Sequence, residues 1–154
     1  MLQCYKSGDF NKYFTENMTA LGLVAPSSLF DSSEKAVATA TTMLSAITQL
    51  GKGATVTELV GATTGLEQLL VVGAMSAAGY AGAVIGSIAV ATGRTLSCGS
   101  RISDFFVFID KNNLKFKGWD LFYASNPQIL NTKLPSRNSY GIRCRYNLSQ
   151  FDYA

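Results

Sequence analysis

The sequence predicts an α+β fold in a single domain, residues 1-154. A helical part, residues 1 to 100, is built around a central Gly/Ala-rich hydrophobic helix, and a β-rich part, residues 101 to 154, forms a small antiparallel sheet. Three observations predict it. Apolar residues recur at helical spacing up to about residue 50; residues 68 to 93 carry no charge; and beyond residue 100 aromatic and β-branched runs alternate with polar turns. A chain of 154 residues is the size of one ordinary domain and buries a core without disulfide or metal staples.

The first element starts at Asp9, an N-cap residue type. Phe10, Tyr13, Phe14 and Met18 follow on one helical stripe, so residues 9 to 22 read as a short amphipathic helix. Pro26 breaks it, because proline disfavours helical geometry in the residue before it. Asp31-Ser32-Ser33-Glu34 is a second start signal, with Asp31 as cap and Glu34 reaching back. The helix over 34 to 50 has Val37, Ala40, Leu44 and Ile47 on its apolar stripe, places Thr39, Thr42, Ser45 and Gln49 elsewhere, and ends at Gly51-Lys52-Gly53. At about 1.5 Å per residue it spans only about 25 Å, less than the ~30 Å hydrocarbon core of a bilayer.

Thr55-Val56-Thr57-Glu58 and Thr64-Gly65-Leu66-Glu67 both fit a capping box, so a short helical segment precedes a longer helix that begins near Gly65. The uncharged run from 68 to 93 amounts to about 39 Å as a helix, enough to cross a bilayer with tilt. Within it Ala78, Gly82 and Gly86 recur every fourth residue, flanked by Gly73, Ala77 and Ala81. Missing side chains at such spacing let another backbone approach closely. Gly73, Gly79, Gly82 and Gly86 together sacrifice about 2–4 kcal/mol of helix propensity relative to alanine, a loss that close packing has to recover.

In the last third, residues 104 to 119 read as a β-hairpin around Lys111-Asn112-Asn113. Residues 140 to 146 alternate strictly, with Tyr140, Ile142, Cys144 and Tyr146 on one face and Arg143 and Arg145 on the other, and read as a third strand. Residues 124 to 138 read as an irregular connection.

Charge and residue chemistry then restrict function. Charged residues are 15% of the chain, against roughly 25% in an average soluble protein, which excludes the charge-rich disordered class. Residues 1 to 67 hold four lysines against six acids; residues 94 to 154 hold nine basic groups against four acids, a net of +5. Lys115, Lys117, Arg143 and Arg145 are candidate contacts to an anionic surface, and Trp119, Phe122 and Tyr123 suit either a membrane interface or a core. Nucleic acid is not expected as a partner.

There is no histidine, no paired-carboxylate signature and no phosphate-loop or nucleophile-elbow motif. Cys4, Cys98 and Cys144 are too few and too widely spaced for a zinc site or a disulfide framework. No catalytic, metal-binding or cofactor-binding residues are therefore assigned, and no cofactor is expected. The first residues, MLQCYKSGDFNKYF, lack the basic and apolar regions of a classical signal peptide, so any export takes another route.

A small chain of this kind, with a Thr/Gly/Ala-rich helical hairpin over residues 34 to 93 and a compact tail, resembles small interbacterial pore-forming toxins, including type VI secretion effectors. The resemblance implies a protein soluble in the producing cell, secreted without a classical signal peptide and active at a target-cell membrane. Its implied partners are the lipid membrane, further copies of the chain on insertion, and a cognate immunity protein or secretion chaperone. On this reading Gly73, Ala78, Gly79, Gly82 and Gly86 are the helix-packing and oligomerisation stripe, and Thr39, Thr42 and Ser45 are candidate pore-lining groups. A different class of function fits the same residues: a soluble structural or protein-interaction module in which the glycine-rich helix is only core. An enzyme of unfamiliar type is the third.

Overall fold

The computed structural model describes residues 9–51, 53–73, 75–97 and 102–130. Helix α1 (Phe10–Ala20) forms where the aromatic stripe predicts it, with Phe10, Tyr13, Phe14 and Met18 buried. Asp9 occupies the N-cap position without a side-chain capping bond, since its backbone (φ −92°, ψ 22°) lacks the extended geometry that aims a cap oxygen at the first turn. The rings of Phe10 and Phe14 stack at 5.6 Å, and Phe14 stacks on Phe30 at 4.9 Å. Phe30 closes the single-turn helix α2 (Ser27–Phe30), which starts directly after Pro26.

Helix α3 (Ser33–Leu50) is capped by Ser32, whose hydroxyl accepts from the Lys35 amide at 3.2 Å. Ser32 takes this place from Asp31 because Ser32 has the extended backbone a cap needs (φ −141°, ψ 162°), whereas Asp31 still follows the α2 turn. Asp31 instead pairs with the Lys35 ammonium at 3.0 Å. The buried face of α3 is Ala36, Thr39, Ala40, Met43, Ala46 and Ile47, rotated from the expected stripe so that Val37 and Leu44 lie at its margin. Gly51 ends the helix with φ 95°, a conformation that disfavours a side chain. Helix α4 (Val56–Ala62) is capped by Thr55, as its capping box predicts.

The uncharged run is not one helix. Residues 67 to 72 wind as a 3-10 helix (Glu67–Val72), the chain turns at Gly73 (φ 63°), and helix α5 (Ala77–Ser97) starts only after Ser76, whose hydroxyl accepts from the Gly79 amide at 3.0 Å. The cause is a long-range pairing, an antiparallel bridge between Thr55 and Ser76, which holds Met75 and Ser76 against the start of α4. Every residue from 77 to 91 is buried. Helices α1 and α3 lie along α5 and α4 touches it, and all share one hydrophobic core.

The expected hairpin is overturned. Residues 102 to 111 form helix α6 (Ile102–Lys111), residues 119 to 125 form helix α7 (Trp119–Ser125), and a short 3-10 turn (Pro127–Ile129) follows. No strand occurs among the described residues, where the fold is helical rather than α+β. Residues 105 to 109 are five consecutive apolar positions, a run that fits a buried strand and a helix equally. In the fold Phe105 and Ile109, four apart, point inward while Phe106 and Val107 point out, which is helical periodicity.

Asn112-Asn113, read as a hairpin turn, instead ends α6. Asn113 is left-handed (φ 54°), its amide donates to the Asp110 carbonyl at 3.3 Å, and the Leu114 amide donates to the Ile109 carbonyl at 3.0 Å, the pattern of a Schellman cap. The predicted strand over 140 to 146 lies outside the described residues.

Candidate functional site

The candidate site is α5 with the apolar stretch that leads into it. The face carrying Gly82 and Gly86 is occupied by the chain's own C-terminal elements. A Cβ placed on Gly82 would collide with the Phe122 ring of α7, and one placed on Gly86 with the Ile129 side chain of the following 3-10 turn. Large side chains are thus seated in the two gaps, and the Tyr123 hydroxyl donates to the Gly82 carbonyl at 2.7 Å. Ala78 and Gly79 are buried in the first turn of α5, whereas Gly73 lies outside the helix, at the turn before it. The stripe expected from spacing is therefore divided between α5 and that turn.

Two polar side chains in the buried part of α5, Ser87 and Tyr80, have partners from distant parts of the chain. Asn17 of α1 donates to the Ser87 hydroxyl at 2.8 Å and to the Ile129 carbonyl at 3.2 Å, both buried. The Tyr80 hydroxyl donates to the Val24 carbonyl at 2.7 Å. Unpaired, such groups would each cost about 1–3 kcal/mol when buried, so the network fixes how α1 and the 127 to 129 turn sit on α5. The sequence gives one signal for it: Asn17 falls within the aromatic stripe of α1, where a polar side chain needs a partner.

Thr39, Thr42 and Ser45 do not share one exposed face. Thr39 is buried with its hydroxyl donating to the Leu29 carbonyl at 3.0 Å; Thr42 is half-buried and donates to the Ala38 carbonyl at 2.9 Å; Ser45 is exposed. The outer face of α3 instead presents Thr41, Ser45 and Thr48, spaced i, i+4, i+7, which sequence reasoning missed although that spacing was there to read. The Thr41 and Thr48 hydroxyls donate to the Val37 and Leu44 carbonyls one turn back, both at 2.9 Å, and so are satisfied without water.

Of the four basic candidates, Lys115 and Lys117 are exposed on the segment joining α6 to α7, and Arg143 and Arg145 lie outside the described residues. Lys115 pairs with Asp110 at 2.7 Å, and its ammonium holds the Asp110 carboxyl below the ordinary carboxylate value. Phe122 and Tyr123 are core and Trp119 is half-buried, edge-on to Phe106 at 5.2 Å. Cys4, Cys98 and Cys144 also lie outside the described residues, which contain no cluster of side chains able to hold a metal ion.

The architecture this defines is a helical bundle wrapped around one apolar helix. No protein-family model, curated protein or solved structure matches the chain. Among the described residues no helix is long and apolar enough to cross a membrane.

Proposed function

We propose that this chain permeabilises membranes, holding an apolar helical segment inside an amphipathic jacket until it meets a lipid bilayer. The observation that supports the reading is the distribution of burial along the uncharged run. Residues 77 to 91 are buried on all sides, yet Leu70 and Val71, in the same run, are 53% and 66% exposed. A helix apolar on every face belongs in a core or in lipid, and exposed leucine and valine in continuity with it offer a first contact to a bilayer. The back-bonded threonines of α3 suit a hairpin partner, since their hydroxyls need no water. Further copies of the chain would then associate through small residues, and a producing cell would need an immunity protein or chaperone, as for the interbacterial toxins the sequence resembles.

The test is dye and ion efflux from anionic liposomes on addition of the purified protein, with Leu70→Asp/Val71→Asp beside it. Both side chains are exposed, so the soluble fold stays within about 0.5 kcal/mol of the parent. In a bilayer, carboxylates near the end of a span cost less than the ~2.5–3.5 kcal/mol of the midplane but enough to reduce efflux about tenfold. Unchanged efflux in the variant would remove this segment from the mechanism. No efflux over a range of pH and lipid favours the second reading, a soluble interaction module, which the lack of a membrane-length helix among the described residues supports.

A further inference from the structure

We infer that the antiparallel pairing between residues 54 to 57 and the chain around Gly73, Met75 and Ala77 is a latch that keeps α5 too short to cross a bilayer. The inference rests on the membrane reading above. The uncharged part of α5, residues 77 to 93, is about 25 Å long, less than the ~30 Å hydrocarbon core; adding residues 68 to 76 makes it about 39 Å. The latch decides between these lengths.

Its hydrogen bonds are those a continuous helix would make, diverted. In an unbroken helix the Ala77 amide would donate to the Gly73 carbonyl and the Gly79 amide to the Met75 carbonyl. In the fold the Gly73 carbonyl accepts from the Thr57 amide at 3.1 Å and the Met75 carbonyl from the Val56 amide at 2.9 Å. The Ala77 amide donates to the Ala54 carbonyl at 3.0 Å, and the Gly79 amide to the Ser76 hydroxyl at 3.0 Å. Val56 and Thr57 form the first turn of α4, whose amides lack intrahelical partners, so the latch satisfies α4 while interrupting α5.

Opening it trades four bonds for two inside a longer helix and leaves the Val56 and Thr57 amides and the Ala54 carbonyl to water. The lengthened helix then satisfies its own backbone, the arrangement lipid demands because it supplies no partners of its own. Two further features keep the closed form poised. Gly73 has φ 63°, unfavourable for any residue with a side chain, and the 3-10 helix it follows is six residues long, where runs beyond three or four are uncommon.

The test locks and unlocks the pairing. Thr55 and Ser76 face each other at a non-hydrogen-bonded position, where Cα atoms stand about 4.5 Å apart, within disulfide range. In the full chain with Cys4, Cys98 and Cys144 changed to Ser, Thr55→Cys/Ser76→Cys is compared oxidised and reduced by efflux from anionic liposomes and by hydrogen exchange of amides 69 to 79. Circular dichroism and a thermal melt establish that both forms fold. The expected result is efflux about tenfold slower when oxidised and restored by reductant, with vesicles protecting amides 70 to 73 only in the reduced form.

Gly73→Ala, which strains the latched turn and favours the helix, is expected to leak several-fold faster than the parent. Equal efflux and equal exchange in the two redox forms overturn the latch while leaving permeabilisation in place. Redox-dependent protection without efflux from any form supports the latch and removes permeabilisation. Neither efflux nor a difference in protection overturns both.

Discussion

The two ends of the uncharged run are both apolar and have opposite fates. Leu69 to Val72 are bulky, wind into a 3-10 helix and leave Leu70 and Val71 in water, whereas residues 77 to 91, with four alanines and two glycines among the first seven, are enclosed on every side. Shape accounts for the difference. Small side chains let α1 and α3 close onto α5 and let Phe122 and Ile129 seat where Gly82 and Gly86 have no Cβ, while the Thr55–Ser76 bridge turns the bulky end away from the axis. What is stored in the core is set by which residues can be approached closely, not by which are most apolar.

The largest effect expected in this comparison comes from filling a gap. Gly82→Ala places a methyl group against the fully buried Phe122 ring and should destabilise the fold by about 1–3 kcal/mol, read from urea unfolding. Phe122→Leu alone should also destabilise. The two together should cost less than their sum, by about 0.5–3 kcal/mol, because the smaller side chain makes room for the methyl group. Strict additivity would mean that Gly82 is not packed by Phe122 and that the enclosure of α5 has another source. The same contact makes leucine at Gly82 and Gly86 a poor probe of pore function, since such a variant loses its fold first.

A smaller effect tests the polar seam between α7 and α5. Burial pushes the Tyr123 phenol well above its ordinary value of 10.0. A raised folded value means that the tyrosine's contribution is fully present below about pH 10 and is lost as pH rises past it, when the ionised phenol favours the unfolded chain. Tyr123→Phe should cost about 1 kcal/mol at neutral pH, through loss of the bond to the Gly82 carbonyl, and should flatten the alkaline limb of the stability curve. An unchanged alkaline limb would show that Tyr123 ionises without unfolding, and that α7 is not held on α5 as closely as this packing implies.

The sequence disclosed those parts whose stabilising contacts are local. The stripe of α1, the Thr55 cap and the Gly51 stop were all read correctly, because a helix announces its buried face at i, i+3 and i+4 and its ends within a turn. Helix α6 was hidden because a five-residue apolar block has no period, and Asn112-Asn113 serves a hairpin turn and a helix cap equally. The break in the uncharged run was hidden for a different reason. It depends on a pairing between residues 21 positions apart, Thr55 and Ser76, that no local window contains. Ser76 before Ala77 was nevertheless a readable cap signal. Likewise the spacing of Gly82 and Gly86 announced a close neighbour, but not that Phe122 and Ile129 of the same chain would be that neighbour.

The smallest effect concerns the surface beyond α6, where charge rather than packing is at issue. Lys115 holds the Asp110 carboxyl below its ordinary value of 3.8, through their hydrogen bond and charge attraction. A lowered folded value means that the pair contributes above pH 3.8 and that its contribution fades as pH falls through the folded value. Both groups are exposed, so the contribution is small and salt weakens it further. Asp110→Asn should therefore lower the melting temperature slightly at pH 7 in dilute buffer, and the two melting curves should converge both in concentrated salt and in acid. A difference that persists in high salt would mean that the Asp110 side chain acts otherwise than through its charge, since the backbone carbonyl that accepts from the Asn113 amide is the same in asparagine. The contrast between a packed core and a charge-held surface would then stop at the α6–α7 segment.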